Sequence, residues 1–227
     1  MKSVAIHQPN YIPWLGFFYK IFQSDIFVFL DDVQFSNEGM HNYHYIKAKK
    51  GSVRLKIPVI QTLGDKIYEV KVRDDVDWRK KHLDQLKVNY CQADYFEEVY
   101  SDFALLINES FEYLPDLNIS IIKFICDKLG IRYNFIMSSD LKINSSKEAK
   151  IIDICKALGC EEYYSGIGAR SYQNEKDFTK NGIQLKYSEF KIFQYPQQFS
   201  GFQSNVTILD FLMNCGYRWN IVLDNQV

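Results

Sequence analysis

The chain has 227 residues, of which 47% are hydrophobic and 24% charged, and it carries a formal net charge of −1. That is a globular composition with apolar material for a sizeable core. A near-neutral chain has no field to steer nucleic acid or anionic lipid, so neither is expected as a partner. No run of about 18 apolar residues occurs, and His7 and Asn10 interrupt any secretory hydrophobic stretch, so a cytoplasmic protein without a membrane span is expected. Cys91, Cys126, Cys155, Cys160 and Cys215 are scattered, without a C-x-x-C motif or zinc spacing, and read as reduced thiols with no metal. Sixteen Tyr and 17 Phe suit a core, and equally a cleft for a polar, ring-bearing ligand.

Residues 4–6 read as a short buried strand and residues 11–24 as an apolar helix. The loop between them carries His7, Gln8 and Asn10, and its prolines Pro9 and Pro13 stiffen it by fixing φ. Open α/β sheets keep their ligands at such loops; the plainer reading is a proline-rich connection. An imidazole here can act as acid, base or phosphate donor. Gln8 and Asn10 can each donate and accept, as reading sugar hydroxyls or an adenine edge requires, or can brace the turn.

Residues 26–30 form an unbroken apolar run, a strand buried on both faces, and it ends in Asp31 and Asp32. Strand, helix and strand make a right-handed βαβ unit, so both strands end on one sheet edge. His7 and the Asp31/Asp32 pair are therefore expected at a common crevice, with Asp32 as a possible base and Gln34 on its side. The alternative is a solvated strand end.

Residues 38–72 read as an inserted β-hairpin, with strands at 53–59 and 66–72 and turns at Gly51 and Gly64. Its His41, Asn42, His44 and Lys47 could clamp a pyrophosphate or sugar, or form an exposed edge strand guarded by lysine. A helical segment follows over 78–130, with helices at 78–90, 95–113 and 118–129, the last capped by Asn118 and closed by Gly130.

The alternation then resumes: a strand at 132–137, a helix opened by the Ser145/Glu148 capping box and closed by Gly159, a strand at 161–165, a helix at 171–180 and a strand at 183–190. Ser165, Gly166, Gly168 and Arg170 lie between strand and helix, where backbone amides can approach an anion and Arg170 adds a cation. Tyr172 stands near where a third glycine of a dinucleotide fingerprint belongs, and no G-K-[ST] follows. A last helix runs from Asn205 as cap to Leu212 and stops by Gly216. The expected architecture is a single α/β domain over 1–227: an open, mostly parallel Rossmann-like sheet with the inserted hairpin and helical segment.

Four stretches resemble the WbqC-like protein family: His7-Gln8-Pro9-Asn10-Tyr11-Ile12-Pro13-Trp14-Leu15-Gly16, Leu30-Asp31-Asp32-Val33-Gln34-Phe35, Tyr164-Ser165-Gly166 and Ile208-Leu209-Asp210-Phe211-Leu212-Met213-Asn214-Cys215-Gly216. The resemblance implies a part in O-antigen or other surface-polysaccharide biosynthesis, with glycine-type aminoacyl transfer onto an amino sugar as the proposed role. Typical members carry Asn-Arg pairs where this chain has His41-Asn42-Tyr43-His44. A weaker likeness is to nucleotidyltransferases of the pantothenate-synthetase type; of their H-x-G-H element only His7 has a counterpart, because Phe17 follows Gly16.

Three functions compete. The first is an aminoacyl or acyl transferase acting on a nucleotide-linked amino sugar and a small acyl or amino-acid donor. His7 or Asp32 would then take the proton, Lys47 and Arg170 would hold phosphates, and the loop at Ser165 would bind anionic or acyl groups. The second is a non-catalytic sugar-nucleotide-binding protein. The third is an ATP-dependent nucleotidyltransferase or ligase, since a free carboxylate needs activation before an amine attacks it.

Overall fold

The computed structural model describes residues 1–171 and 173–227; Tyr172 lies outside the described residues. In chain order the elements are β1 (Ser3–His7), α1 (Leu15–Phe22), β2 (Ile26–Phe29), β3 (Tyr43–Ala48), β4 (Gly51–Lys56), β5 (Val59–Ile60), β6 (Lys71–Val72), α2 (Trp78–Tyr90), α3 (Phe96–Ile107) and α4 (Leu114–Leu129). Then come β7 (Phe135–Met137), α5 (Lys147–Ala157), β8 (Glu162–Gly166), α6 (Glu175–Lys180), β9 (Gln184–Ser188), α7 (Ile208–Cys215) and α8 (Trp219–Asp224). They fall into two compact units, each with its own core.

The first unit comprises Met1–Pro9, Gly16–Val33 and Ile131–Phe190. Its sheet has five parallel strands in the order β7-β2-β1-β8-β9, which is the open parallel sheet expected from the alternation of apolar runs and helices. One face packs Val4, Ile6, Ile26 and Val28 against Ile152, Ile154 and Cys155 of α5 and Phe178 of α6. The other carries a ring ladder in which Phe17 of α1 lies 5.3 Å from Phe27, and Phe29 lies 4.8 Å from Phe135. Each such buried ring contributes roughly 1.5–3 kcal/mol, so this face alone anchors α1 to β1 and β2.

The second unit comprises Asn10–Leu15, Gln34–Gly130 and Lys191–Val227. Its larger hairpin pairs β3 with β4, while β5 and β6 form a separate short one. The expected pairing of 53–59 with 66–72 is thus corrected: only Val59 and Ile60 meet Val72 and Lys71. The stronger partner for β4 is the polar run at 43–48, whose alternation was masked by its charged and aromatic side chains. Inside this unit Tyr90 donates to Asp210 Oδ2 at 2.7 Å and accepts from the Lys47 amide at 3.0 Å. Burial raises the Asp210 carboxyl above its ordinary pKa, while the hydrogen bonds from Tyr90, Tyr195 and Gln197 pull it back.

Several boundaries differ from expectation for identifiable reasons. Helix α4 begins at Leu114, with Pro115 in its first turn, so Asn118 is no cap; it is buried and donates to His41 O at 2.7 Å. The Ser145/Glu148 capping box does not form either. Ser146 occupies the cap position, Ser145 donates to Asp153, and Glu148 accepts from the Asn174 amide at 2.9 Å. Thr207, not Asn205, caps α7 through a bond from the Leu209 amide, and Asn174 caps α6.

Candidate functional site

The strand order contains one reversal of direction. From β1 the chain moves through α1 to β2 on one side, whereas β8 enters on the other side of β1. At such a switch point the loops leaving two adjacent parallel strands diverge and open a crevice at their carboxyl ends. A cleft of about 740 Å³ lies in the first unit, lined by Ile6, His7 and Gln8 from the β1 end and by Tyr163, Ser165, Gly166 and Gly168 from β8 and the turn after it. Lys20 of α1, Leu30, Lys147, Glu148 and Ile151 at the start of α5, Ala169 and Gln173 complete the lining.

His7 Nδ1 lies 2.9 Å from the Gln8 carbonyl oxygen, which only accepts, so Nδ1 carries the proton and the ring's basic lone pair is on Nε2. The ring meets Phe17 edge-on at 4.9 Å, which fixes its plane. Lys20 Nζ, 4% exposed as a residue, donates to Ile6 O at 2.9 Å. Burial without a carboxylate partner lowers its pKa to about 7, so the amine exchanges a proton near neutrality. Ser165 is 1% exposed, and among the described residues neither its hydroxyl nor the buried Gln173 Oε1 has a hydrogen-bond partner. Two orphaned polar atoms in a cleft wall are what a polar ligand would satisfy.

Of the residues nominated from sequence, His7, Gln8, Ser165, Gly166 and Gly168 are brought together in this cleft. Asp31 and Asp32 are not in its lining, although β1 and β2 do end on one edge with His7 opposite Phe29. Their carboxylates turn to the segment after β7. Asp31 accepts from the Ser139 amide at 2.9 Å and from the Ser139 hydroxyl at 2.7 Å, and Asp32 Oδ2 pairs with Lys150 Nζ at 2.6 Å. Arg170 is exposed, with its guanidinium 5.4 Å from the Tyr187 ring centroid.

The remaining nominees belong to the second unit. Asn42 and His44 are buried there, Asn42 donating to Ile57 O at 2.9 Å and His44 Nδ1 accepting from the Tyr45 amide at 2.9 Å. Burial lowers the pKa of both His41 and His44 to about 4. Lys47 is 1% exposed and donates to the carbonyls of Gly201 and Phe199. Strand β3 is therefore largely interior, where the alternatives had been a ligand clamp or an exposed edge. Gln34 is exposed, bridging to Lys66, and Asn10 Oδ1 is buried without a partner. Near it, buried Ile12 holds φ at 40°, a left-handed value for a β-branched residue. Such strain costs about 1–3 kcal/mol and persists only where the surroundings enforce it. Flanking backbone bonds from Tyr11 N to Met40 O and from Ile208 N to Pro13 O do so.

Sequence reasoning missed Lys20, Lys147, Glu148, Tyr163 and Gln173. Lys20 had a signal: it follows Phe17 by three positions and so shares the apolar face of α1.

The fold and cleft define a Rossmann-like α/β protein with an open cleft at the switch point. The chain belongs to the WbqC-like protein family, whose model matches residues 8–220. It is similar to the uncharacterized protein Rv1507c of Mycobacterium tuberculosis, 35% identical over 221 residues that cover 95% of each chain. No solved structure matches. Among the described residues, no helix is long and apolar enough to cross a membrane.

Proposed function

We propose that the protein is a cytoplasmic transferase of surface-polysaccharide biosynthesis that acylates the amine of a nucleotide-linked amino sugar, with an amino acid such as glycine as acyl source. One observation carries the reading: the switch-point cleft is lined by His7, with its basic nitrogen on Nε2, and by Ser165 and Gln173, whose buried oxygens have no partner among the described residues. The amine nitrogen attacks the acyl carbon of an activated donor (an acyl phosphate, acyl adenylate or thioester), forming the C–N bond. The leaving group departs with its bonding electrons, and His7 Nε2 takes the proton lost by the nitrogen. Gln8 and Gln173 supply the directional polar contacts that hold a sugar. Asp32 is engaged by Lys150 and Ser138, so the base is assigned to His7. ATP would supply the activation where the donor arrives as a free amino acid.

The test is incubation of the full chain with a panel of nucleotide-linked amino sugars, glycine and ATP, followed by mass spectrometry. A product heavier by one glycyl group is expected, and it should vanish in His7→Ala. No new mass across the panel would sink the reading.

A further inference from the structure

We propose that the inner wall of the cleft is an anion subsite, in which Lys20 Nζ and Ser165 Oγ hold a phosphate or carboxylate oxygen of the ligand. This deepens the proposed function and rests on its choice of cleft, but not on the transfer reaction.

The two groups line one cleft. In the β1–β8 register Ala5 lies opposite Tyr164, so the next residues along the two strands are Ile6 and Ser165. Lys20 reaches across from α1 to the Ile6 carbonyl. That bond accounts for one of the three donors of an ammonium group. Among the described residues, no carboxylate forms an ion pair with Lys20, in contrast to Lys150 and Lys186, which are paired with Asp32 and Glu162. Among the described residues, a buried amine without a counter-ion and a buried hydroxyl without a partner line one cleft, an unfavourable arrangement until an anion arrives. An anionic oxygen accepts from both and removes both penalties together.

The other titratable or charged groups lining the cleft are His7 on β1, Tyr163 on β8, and Lys147 and Glu148 at the start of α5. Glu148 is the sole carboxylate among them and already accepts from the Asn174 amide, while Lys147 is exposed at the rim. An incoming anion therefore meets more positive than negative charge. Its arrival favours the charged form of Lys20, whose pKa burial has lowered to about 7, so binding is accompanied by proton uptake near neutral pH.

The test is calorimetric titration of the full chain with inorganic pyrophosphate and, separately, with acetate, at about pH 6 and about pH 9 on either side of the lysine's transition. Affinities are compared as wild type against Lys20→Met at each pH, which cancels titration of the probe itself. We expect Lys20→Met to weaken binding about tenfold or more at the lower pH and much less at the higher. Lys20→Arg, which keeps its charge, should bind at both pH values and flatten the dependence. Ser165→Ala should weaken binding roughly fivefold. Response to pyrophosphate alone assigns the subsite to phosphate, and response to acetate alone assigns it to a carboxylate. Binding of neither probe, or wild-type affinity in both Lys20→Met and Ser165→Ala, overturns the subsite. Should transfer to an amino sugar persist in that case, only the subsite falls. Should the anions bind as expected with no transfer anywhere, only the reaction falls.

Discussion

Asp32 in the segment after β2 and Lys150 in α5 form an ion pair of 2.6 Å, with side chains only 9% and 6% exposed. Lys150 also donates to Ile143 O at 2.9 Å, and Ser138 Oγ donates to the other Asp32 oxygen at 2.5 Å. The pair ties the helix whose first turn carries Lys147 and Glu148 to the sheet edge where the cleft opens. It makes Asp32 a residue that positions a wall of the cleft.

Breaking one side of this pair leaves a buried charge uncompensated. Lys150→Met should therefore cost about 3–5 kcal/mol of stability, read from urea unfolding. The double variant Asp32→Asn with Lys150→Met should recover most of that loss, because no bare charge remains. A single-variant loss below about 1 kcal/mol would mean that water reaches the pair freely.

Lys20 should show the opposite behaviour. Its folded pKa is about 7, below the ordinary 10.5, so between these values the unfolded chain binds a proton that the folded chain does not. Stability contributed through this group therefore rises with pH across that window, and the full penalty is present below it. Lys20→Met removes the penalty and forfeits one hydrogen bond to Ile6 O, about 1 kcal/mol. The variant should be more stable than wild type, by a few kcal/mol more at pH 6 than at pH 9. Urea midpoints at the two pH values measure this; equal gains at both would show that the amine is hydrated in the folded protein. Gaining stability while losing anion affinity is the mark of a group retained for function.

The parallel sheet was legible because apolar runs such as 26–30 and the alternation of strand and helix have few other solutions. His7, Gln8 and the turn at Ser165 were legible because they sit at strand ends of one βαβ-type edge. What remained hidden depends on tertiary contact. Nothing local says that Asp31 would turn to Ser138 and Ser139, more than a hundred residues away, and away from the crevice. Nor does the run His41-Asn42-Tyr43-His44 announce burial: polar groups enter an interior only when distant backbone supplies partners, as Ile57 O does for Asn42. Lys20 was overlooked because a lysine at a helix end is ordinarily solvated, whereas here it is buried and bonded to the Ile6 carbonyl.

Three histidines make the second unit acid-sensitive. Burial lowers the pKa of His41, His44 and His82 from 6.5 to about 4, so each stays neutral when folded while the unfolded chain protonates. Their contribution is full above about pH 6.5 and is lost as pH falls toward 4. His82 shows the setting: its Nε2 donates to Lys56 O at 3.2 Å and its Nδ1 lies 2.9 Å from the Tyr11 hydroxyl, in a buried site where a second ring proton carries the desolvation cost of a cation. Unfolding free energy should fall by several kcal/mol between pH 6.5 and pH 4.5, and His82→Gln should shallow that slope. A flat profile over this interval would mean that the rings are not buried in the neutral form.

In the proposed reaction His7 takes the proton, and its neighbours set a specific expectation. With Nδ1 donating to Gln8 O and the ring held against Phe17, the basic lone pair is on Nε2. His7→Gln keeps a polar side chain of similar reach but has no basic nitrogen. It should lower kcat for aminoacyl transfer by about a hundredfold or more while changing KM for the sugar nucleotide by less than about threefold. Phe17→Leu removes the edge contact that fixes the ring plane without touching the imidazole, and should lower kcat by a smaller factor, about tenfold. If His7→Gln raises KM and leaves kcat alone, the imidazole binds the ligand and another group takes the proton. The neutral fraction of Lys20 near pH 7 then becomes the base to test, through the shift of the pH–rate profile in Lys20→Arg.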